Sequence, residues 1–238
     1  MSVEIRRAMV LAAGLGTRMR SVTTELPKPL VSVSGRTLLD RVLDRLLDAG
    51  IKDVIVNIHH KADLIRAHLA ARRDLAITFS DETGALLDTG GGIAKALPFF
   101  ENRPFLTHNS DSLWIEGMGR AIPRLAQSFD PDRMDALMLV ASTVTATGYE
   151  GRGDFTMDEE GRLARREEAR IAPFVWTGVQ ILHPRLFEGC PKGPFSTNLL
   201  WNKAIEEGRL YGIRHEGIWM HVGCRDGLAE AEARLAAI

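Results

Sequence analysis

The stretch LAAGLGTRMRSVTTELPKPL, residues 11–30, decides how this chain is read. It follows Arg7–Ala12 (RAMVLA), a short apolar run of buried-strand type. It then places Gly14, Gly16, Arg18, Arg20 and a Pro-Lys-Pro triplet in one loop. A P-loop would need G-x-x-x-x-G-K-[ST], but Gly16 is followed by Thr17 and Arg18. A dinucleotide fingerprint would need a third glycine for close helix–strand packing, and Met19 takes that place. The loop still suits phosphate. Gly14 and Gly16 let backbone N–H groups close on an anion. Arg18 and Lys28 add positive charge. Pro27 and Pro29 stiffen the backbone around Lys28, so less entropy is lost when it grips a ligand. The competing reading is a strand-to-helix turn whose arginines are simply solvated.

Beyond this loop, strand and helix patterns alternate. Strands are predicted at Val54–Ile58, Ala76–Phe79, Pro104–Thr107 and Ala136–Ser142. Helices are predicted from Leu38 to a stop at Gly50, at Leu64–Leu69, and at Ile93–Leu97 after Gly90–Gly92. Such alternation gives right-handed βαβ units: an α/β, Rossmann-like, mostly parallel sheet flanked by helices. Ligands of such sheets bind beyond the strand carboxyl ends, where the first loop and Asp111 both fall. After Tyr149 the pattern turns antiparallel, at Gly153–Met157 and Pro173–Leu182. Ser196–Glu207 and Asp226–Ala237 read as helices and Arg209–Arg214 as a strand. The expectation is one domain over 1–238, with a nucleotide-binding core at 1–148 and a small antiparallel, sugar-binding lid plus terminal helix at 149–238.

The bulk composition is that of an ordinary globular chain. Its 238 residues are 45% apolar and 26% charged, with a formal charge of −1. No overall field draws it to nucleic acid or to an anionic membrane. No apolar run approaches the ~20 residues that cross a bilayer, and no secretory leader pattern opens the sequence. Cys190 and Cys224 form no metal-ligand spacing, so a cytoplasmic setting is expected. His59 and His60 are adjacent on an extended segment and point to opposite faces, so one ion would not use both.

The 11–30 stretch resembles the signature of the sugar-1-phosphate nucleotidyltransferases, and the resemblance continues through VSGRTLLDRVLDRL, residues 33–46. It implies a glycosyltransferase-A-like fold and one reaction: a sugar phosphate oxygen attacks the α-phosphorus of a nucleoside triphosphate, and pyrophosphate leaves. It further implies that Leu11, Ala12, Ala13, Gly14, Gly16, Thr17 and Arg18 hold the nucleotide. Arg18 would neutralise the triphosphate, and Lys28 would bridge the α-phosphate and the sugar phosphate. Asp111 stands where the family places a metal-binding aspartate, which implies Mg²⁺; capping the next helix is the alternative. The family's second carboxylate belongs in a W-x-D-x-G-like stretch. Here that stretch is WMHVGC, residues 219–224, with His221 in the aspartate's place.

Imidazole is a poor Mg²⁺ ligand and suits Mn²⁺ or another softer ion. Three readings follow. Asp111, phosphates and water hold the metal with His221 behind them; or a softer ion is used; or the chain is a weakened, regulatory binder of nucleotide sugars. The resemblance extends to LLDTGGGIAKALP, residues 86–98, whose glycines, Gly90 among them, would let the chain lie against a flat base. Glu82 is a candidate for the base edge. Asn109, Arg152, Asp154, Trp176 and Thr177 are candidates for the sugar; a solvated loop arginine, a turn aspartate and a core tryptophan are the alternatives for Arg152, Asp154 and Trp176. Segments GRGDF (151–155) and ILHPRLFEGC (181–190) resemble the small uridylyltransferases that act on N-acetylmuramic acid 1-phosphate; mannose-1-phosphate guanylyltransferases are the alternative.

Overall fold

A computed structural model describes residues 3–16 and 25–237, without the side chain of Arg225. Thr17 and Arg18 therefore lie outside the described residues. Strand β1 (Arg7–Leu11) leads through the first loop to a short hairpin, β2 (Ser32–Val33) and β3 (Arg36–Thr37). Helix α1 (Leu38–Asp48) starts where the Thr37 hydroxyl accepts the Asp40 N–H at 3.0 Å, and it ends before Gly50 at φ 84°. Its Leu39, Val42, Leu43 and Leu46 recur at helical spacing and are all buried. Then β4 (Asp53–Ile58), α2 (Ala62–Leu69), β5 (Ala76–Asp81), α3 (Asp88–Ala96) and β6 (Phe105–Asn109) alternate as the sequence predicts.

The chain continues through β7 (Ser112–Ile115), α4 (Ala121–Ser128), β8 (Ala136–Ser142), β9 (Phe155–Met157), β10 (Leu163–Arg165) and β11 (Phe174–Leu182). It closes with α5 (Thr197–Glu206), β12 (Leu210–Arg214), β13 (Ile218–His221) and α6 (Arg225–Ala236). Among the described residues the main sheet has nine strands, along β10-β9-β11-β6-β1-β4-β5, with β8 pairing β11 and β12. The block β6-β1-β4-β5 is parallel throughout.

The segment expected as part of a lid is instead an inner strand. β11 runs antiparallel to β6 on one side and to β8 on the other. Its run FVWTGVQIL is buried along most of its length, as a strand covered on both faces must be. The smaller antiparallel pieces are the pairs β7–β13 and β2–β3, and β9–β10 at the sheet's end.

Helices cover both faces. Leu43 and Leu46 of α1, Ile65 of α2 and Leu125 of α4 pack with Val10 and Val56 on one side. Ile93 of α3 and Leu200 and Trp201 of α5 pack with Met9 and Ile55 on the other. Each such leucine or isoleucine contributes about 1.5–3 kcal/mol by leaving water. A third cluster joins Ala231 of α6 to Met220 of β13 and Leu113 of β7, which fastens the C-terminal region beside Asp111. Among the described residues, no helix is long and apolar enough to cross a membrane.

Candidate active site

Parallel pairing puts the carboxyl ends of β1, β4, β5 and β6 on one edge. Leu11 lies in register with Asn57 and Asn109, and Asn57 with Ser80. Residues in register point to the same face, so these four side chains form a row across the sheet. A cavity of about 540 Å³ opens along this edge. Its lining includes Leu11, Ala12, Ala13, Gly14, Gly16, Lys28, Asn57, Glu82, Thr89, Asn109, Asp111 and Gly223.

Lys28 begins a single helical turn after Pro27, and its Nζ donates to Asp111 Oδ2. The lysine side chain is 11% exposed and the aspartate 31%. The cation is thus mostly sheltered, while its partner carboxylate is the more exposed of the two. Asp111 follows β6 directly and precedes β7, so two strands fix its position.

The opposite wall is built on Glu82, 1% exposed, and Asn57, 3% exposed. Asn57 Nδ2 donates to Glu82 Oε1 at 2.8 Å, and the Ala12 N–H donates to Asn57 Oδ1 at 2.7 Å. The Leu87 N–H reaches Glu82 Oε2 at 3.2 Å. His59 donates from Nδ1 to the Glu82 carbonyl at 2.6 Å, which gives that histidine a structural task. Behind the site, His108 of β6 is completely buried, and its Nδ1 donates to the Asn109 carbonyl at 2.8 Å. Burial pushes its pKa down to about 4, so the ring is neutral near pH 7.

Most of the sequence-predicted catalytic and nucleotide residues meet here, with one sugar candidate, Asn109. Leu11, Ala12, Ala13, Gly14, Gly16, Lys28, Glu82, Asn109 and Asp111 all line the cavity. Gly90 does not. The three glycines lie inside α3, and a Cβ on Gly90 would stand 2.4 Å from Phe195 Cε2. A flat ring does rest on that glycine, but it is the protein's own. The Gly90 and Gly91 N–H groups are likewise taken by the Phe195 carbonyl, at 2.8 and 3.0 Å.

Four of the five sugar candidates are absent from the lining, each for a local reason. Thr177 is buried, and its hydroxyl donates to the Leu139 carbonyl at 2.8 Å. Trp176 donates from Nε1 to the Val179 carbonyl and packs edge-on to Trp201, with ring centres 4.7 Å apart. Asp154 accepts the Trp176 N–H at 2.9 Å, which pins the start of β11. Arg152 is exposed, with its carbonyl bonded to the Ala172 N–H.

His221 also stands back from the cavity. Its backbone pairs with Ser112, next to Asp111, while its ring packs against Tyr149 and Trp219. The ring lies over Gly223, where a Cβ would come within 2.2 Å of His221 Nε2. Among the described residues, no group of three or more His, Cys, Asp or Glu could hold a metal ion. Sequence reasoning missed Asn57; its signal was the single polar residue within the apolar run VIVNI.

A glycine-bearing loop, a lysine on an aspartate and a buried carboxylate wall at the carboxyl edge of a parallel sheet match the site expected of a nucleotidyltransferase, and similarity to known proteins shows that class. The chain belongs to the MobA-like NTP transferase domain family, whose profile matches residues 8–231. It is 45% identical over 240 residues to the N-acetylmuramate alpha-1-phosphate uridylyltransferase of Caulobacter vibrioides, covering 99% of each chain. It is 32% identical over 230 residues to the enzyme of that name from Neisseria meningitidis serogroup B, covering 95% of this chain and 97% of the relative. Its fold matches a UDP-glucose pyrophosphorylase solved with UDP-glucose, at a TM-score of 0.80, 15% identity, and 98% and 99% coverage.

Proposed function

We propose that this chain makes a nucleotide sugar and pyrophosphate from UTP and N-acetylmuramic acid 1-phosphate, in the cytoplasm, as part of cell-wall recycling. The observation that carries the reading is the contact of Lys28 with Asp111 at the mouth of the cavity, beside the first loop. The likeness to two uridylyltransferases over nearly the whole chain supports the choice of substrates.

The reaction joins two anions that repel each other. An oxygen of the sugar phosphate attacks the α-phosphorus, a new P–O bond forms, the α–β bridging bond breaks, and pyrophosphate departs with the electron pair. Such transfers need positioning and charge neutralisation more than covalent help. Lys28 supplies a preorganised cation at the point where the two phosphates would meet. Arg18, outside the described residues, is assigned to the triphosphate. Glu82 presents a buried acceptor on the base side, which suits the N3–H of uracil and repels the bare N3 of cytosine.

The donor set fits a hard divalent cation, because Asp111 offers carboxylate oxygen and the bound phosphates would supply more. Mg²⁺ on Asp111 would neutralise triphosphate charge, and His221 would act from behind rather than as a ligand.

The test is pyrophosphate release from a panel of nucleoside triphosphates and sugar 1-phosphates. UTP with N-acetylmuramic acid 1-phosphate gives the highest kcat/KM. Turnover confined to GTP and mannose 1-phosphate overturns the substrate assignment. Tight nucleotide binding without pyrophosphate release, under every divalent ion, overturns the enzyme and favours a sensor.

A further inference from the structure

We propose that Asn57 sets the base preference of this site, as a positioning residue that aims the Glu82 carboxylate and ties it to the first loop. The inference rests on reading the cavity as a nucleoside triphosphate site.

Asn57 sits buried at the carboxyl end of β4, an inner strand of the parallel sheet, where a polar side chain is costly unless both ends are bonded. Both ends are: Oδ1 accepts from the Ala12 N–H at 2.7 Å, and Nδ2 donates to Glu82 Oε1 at 2.8 Å. One amide thus joins the phosphate-side backbone to the base-side carboxylate. A carboxylate could accept from the first but not donate to the second, whereas the amide does both from two atoms of one rigid plane.

The backbone of Glu82 does not depend on this link. Its N–H donates to the Ile58 carbonyl at 2.8 Å, and its own carbonyl accepts from His59 and from the Ala85 N–H. What Asn57 adds is the orientation of the carboxylate. On the side of α3 the pair is tightly packed: a Cβ on Gly92 would stand 2.8 Å from Glu82 Oε1 and 3.1 Å from Asn57 Nδ2. Oε1 takes the Asn57 amide and Oε2 the Leu87 N–H, and each carboxylate oxygen has a further lone pair left as an acceptor. A base carrying N–H at its pairing edge is then favoured over one carrying a bare ring nitrogen.

The experiment uses the full chain with Asn57→Ser, which is too short to reach both partners, and Asn57→Asp, which turns like charge on Glu82. Calorimetry gives Kd for UTP and CTP, steady-state kinetics gives KM for the sugar 1-phosphate, and melting confirms the fold. The UTP-over-CTP preference falls about tenfold or more in both variants, as expected for a lost bond to a buried charge. The sugar KM stays within about twofold, because the sugar makes no use of this wall. Glu82→Gln, which alters the same contact from its other side, lowers the preference in the same direction and serves if the Asn57 variants do not fold. Folded variants that keep the preference overturn the proposal. So does a parallel loss for UTP, CTP and the sugar, which would mark Asn57 as packing alone. A wild-type protein that prefers UTP yet releases no pyrophosphate overturns the reaction proposed above, while Asn57 is still judged by binding. Binding of UTP and CTP with equal affinity by the wild type overturns the role of Asn57.

Discussion

Lys28 and Asp111 stand 83 residues apart in the chain and meet as donor and acceptor, Nζ on Oδ2. The pair is a held cation and anion side by side in the lining of the cavity. A phosphate entering here meets a lysine already in place, whose side chain is mostly sheltered from water. Reorganisation at the moment of reaction is then small.

Lys28→Ala therefore lowers kcat by ~10²–10³, the usual cost of removing one preorganised donor from a site of this kind. Its melting temperature stays close to that of the wild type, because Asp111 can turn to the solvent it already faces. Arg18→Ala is expected to lose a similar factor. Steady-state kinetics beside thermal melts checks both, and near-wild-type turnover in either variant removes that residue from its assigned role.

The metal dependence separates Asp111 from His221. Asp111→Asn raises the half-saturating Mg²⁺ concentration by more than ~100-fold, as loss of a direct oxygen ligand should, while His221→Ala moves it by less than about tenfold. Activity titrated against Mg²⁺ and Mn²⁺ measures this. A large shift for His221→Ala, with a swing toward Mn²⁺ in the wild type, would make the imidazole a ligand after all.

The start of α3 is intolerant of side chains. A Cβ on Gly91 would lie 2.4 Å from the Gly193 carbonyl oxygen, which belongs to backbone and cannot swing aside. Gly91→Ala costs about 1–3 kcal/mol of overpacking, more than the ~1 kcal/mol gained in helix propensity. Gly84→Ala, where nothing lies within 4 Å, is close to neutral and serves as the control. Denaturant midpoints give both values.

Acid stability should report His108. Its folded pKa, pushed by burial to about 4, lies below the ordinary 6.5. Between these values the unfolded chain holds a proton that the folded chain lacks. Stability is therefore flat above pH 6.5 from this source and falls as pH drops toward 4, by on the order of 3 kcal/mol in all. Asp40 and Asp135, whose pKa values lie below the ordinary 3.8, lose their contributions only below that pH, so the two windows separate. Denaturant unfolding from pH 7 to 4.5 shows the slope. His108→Phe keeps a ring against Trp114 and reduces the slope, leaving the parts due to His183 and His215, whose pKa values burial also lowers.

The parallel half of the fold was legible because it is local: β1, α1, β4, α2, β5, α3 and β6 each announce themselves by their own period. α1 shows its stop at Gly50, whereas β2, β3, β7 and α4 were not read. Lys28 and Asp111 were legible because loops at strand carboxyl ends converge in any such sheet. The place of β11 was not, since which strands become neighbours depends on contacts far apart in sequence. Its near-continuous apolar run hinted at an inner strand, but a hint of burial does not name partners. The glycines of α3 misled for a related reason: their bareness predicts a close approach, and only the folded chain shows that Phe195 makes it. Trp176 and Thr177 were placed beside the sugar by the lid reading of their strand, and the hydrogen bonds that occupy them in an inner strand do not show in the sequence. Asn57 went unnoticed because an asparagine in a strand shows its purpose only when its two partners, 45 and 25 residues away, are brought to it.

The strand order also limits how a gene for this protein can be cut and recombined. A fragment ending before β11 would leave the edges of β6 and β8 facing an empty slot, each ready to capture a stray strand from another copy. Such a fragment would clump rather than persist as a simpler ancestor, so front and rear travel through evolution as one heritable piece.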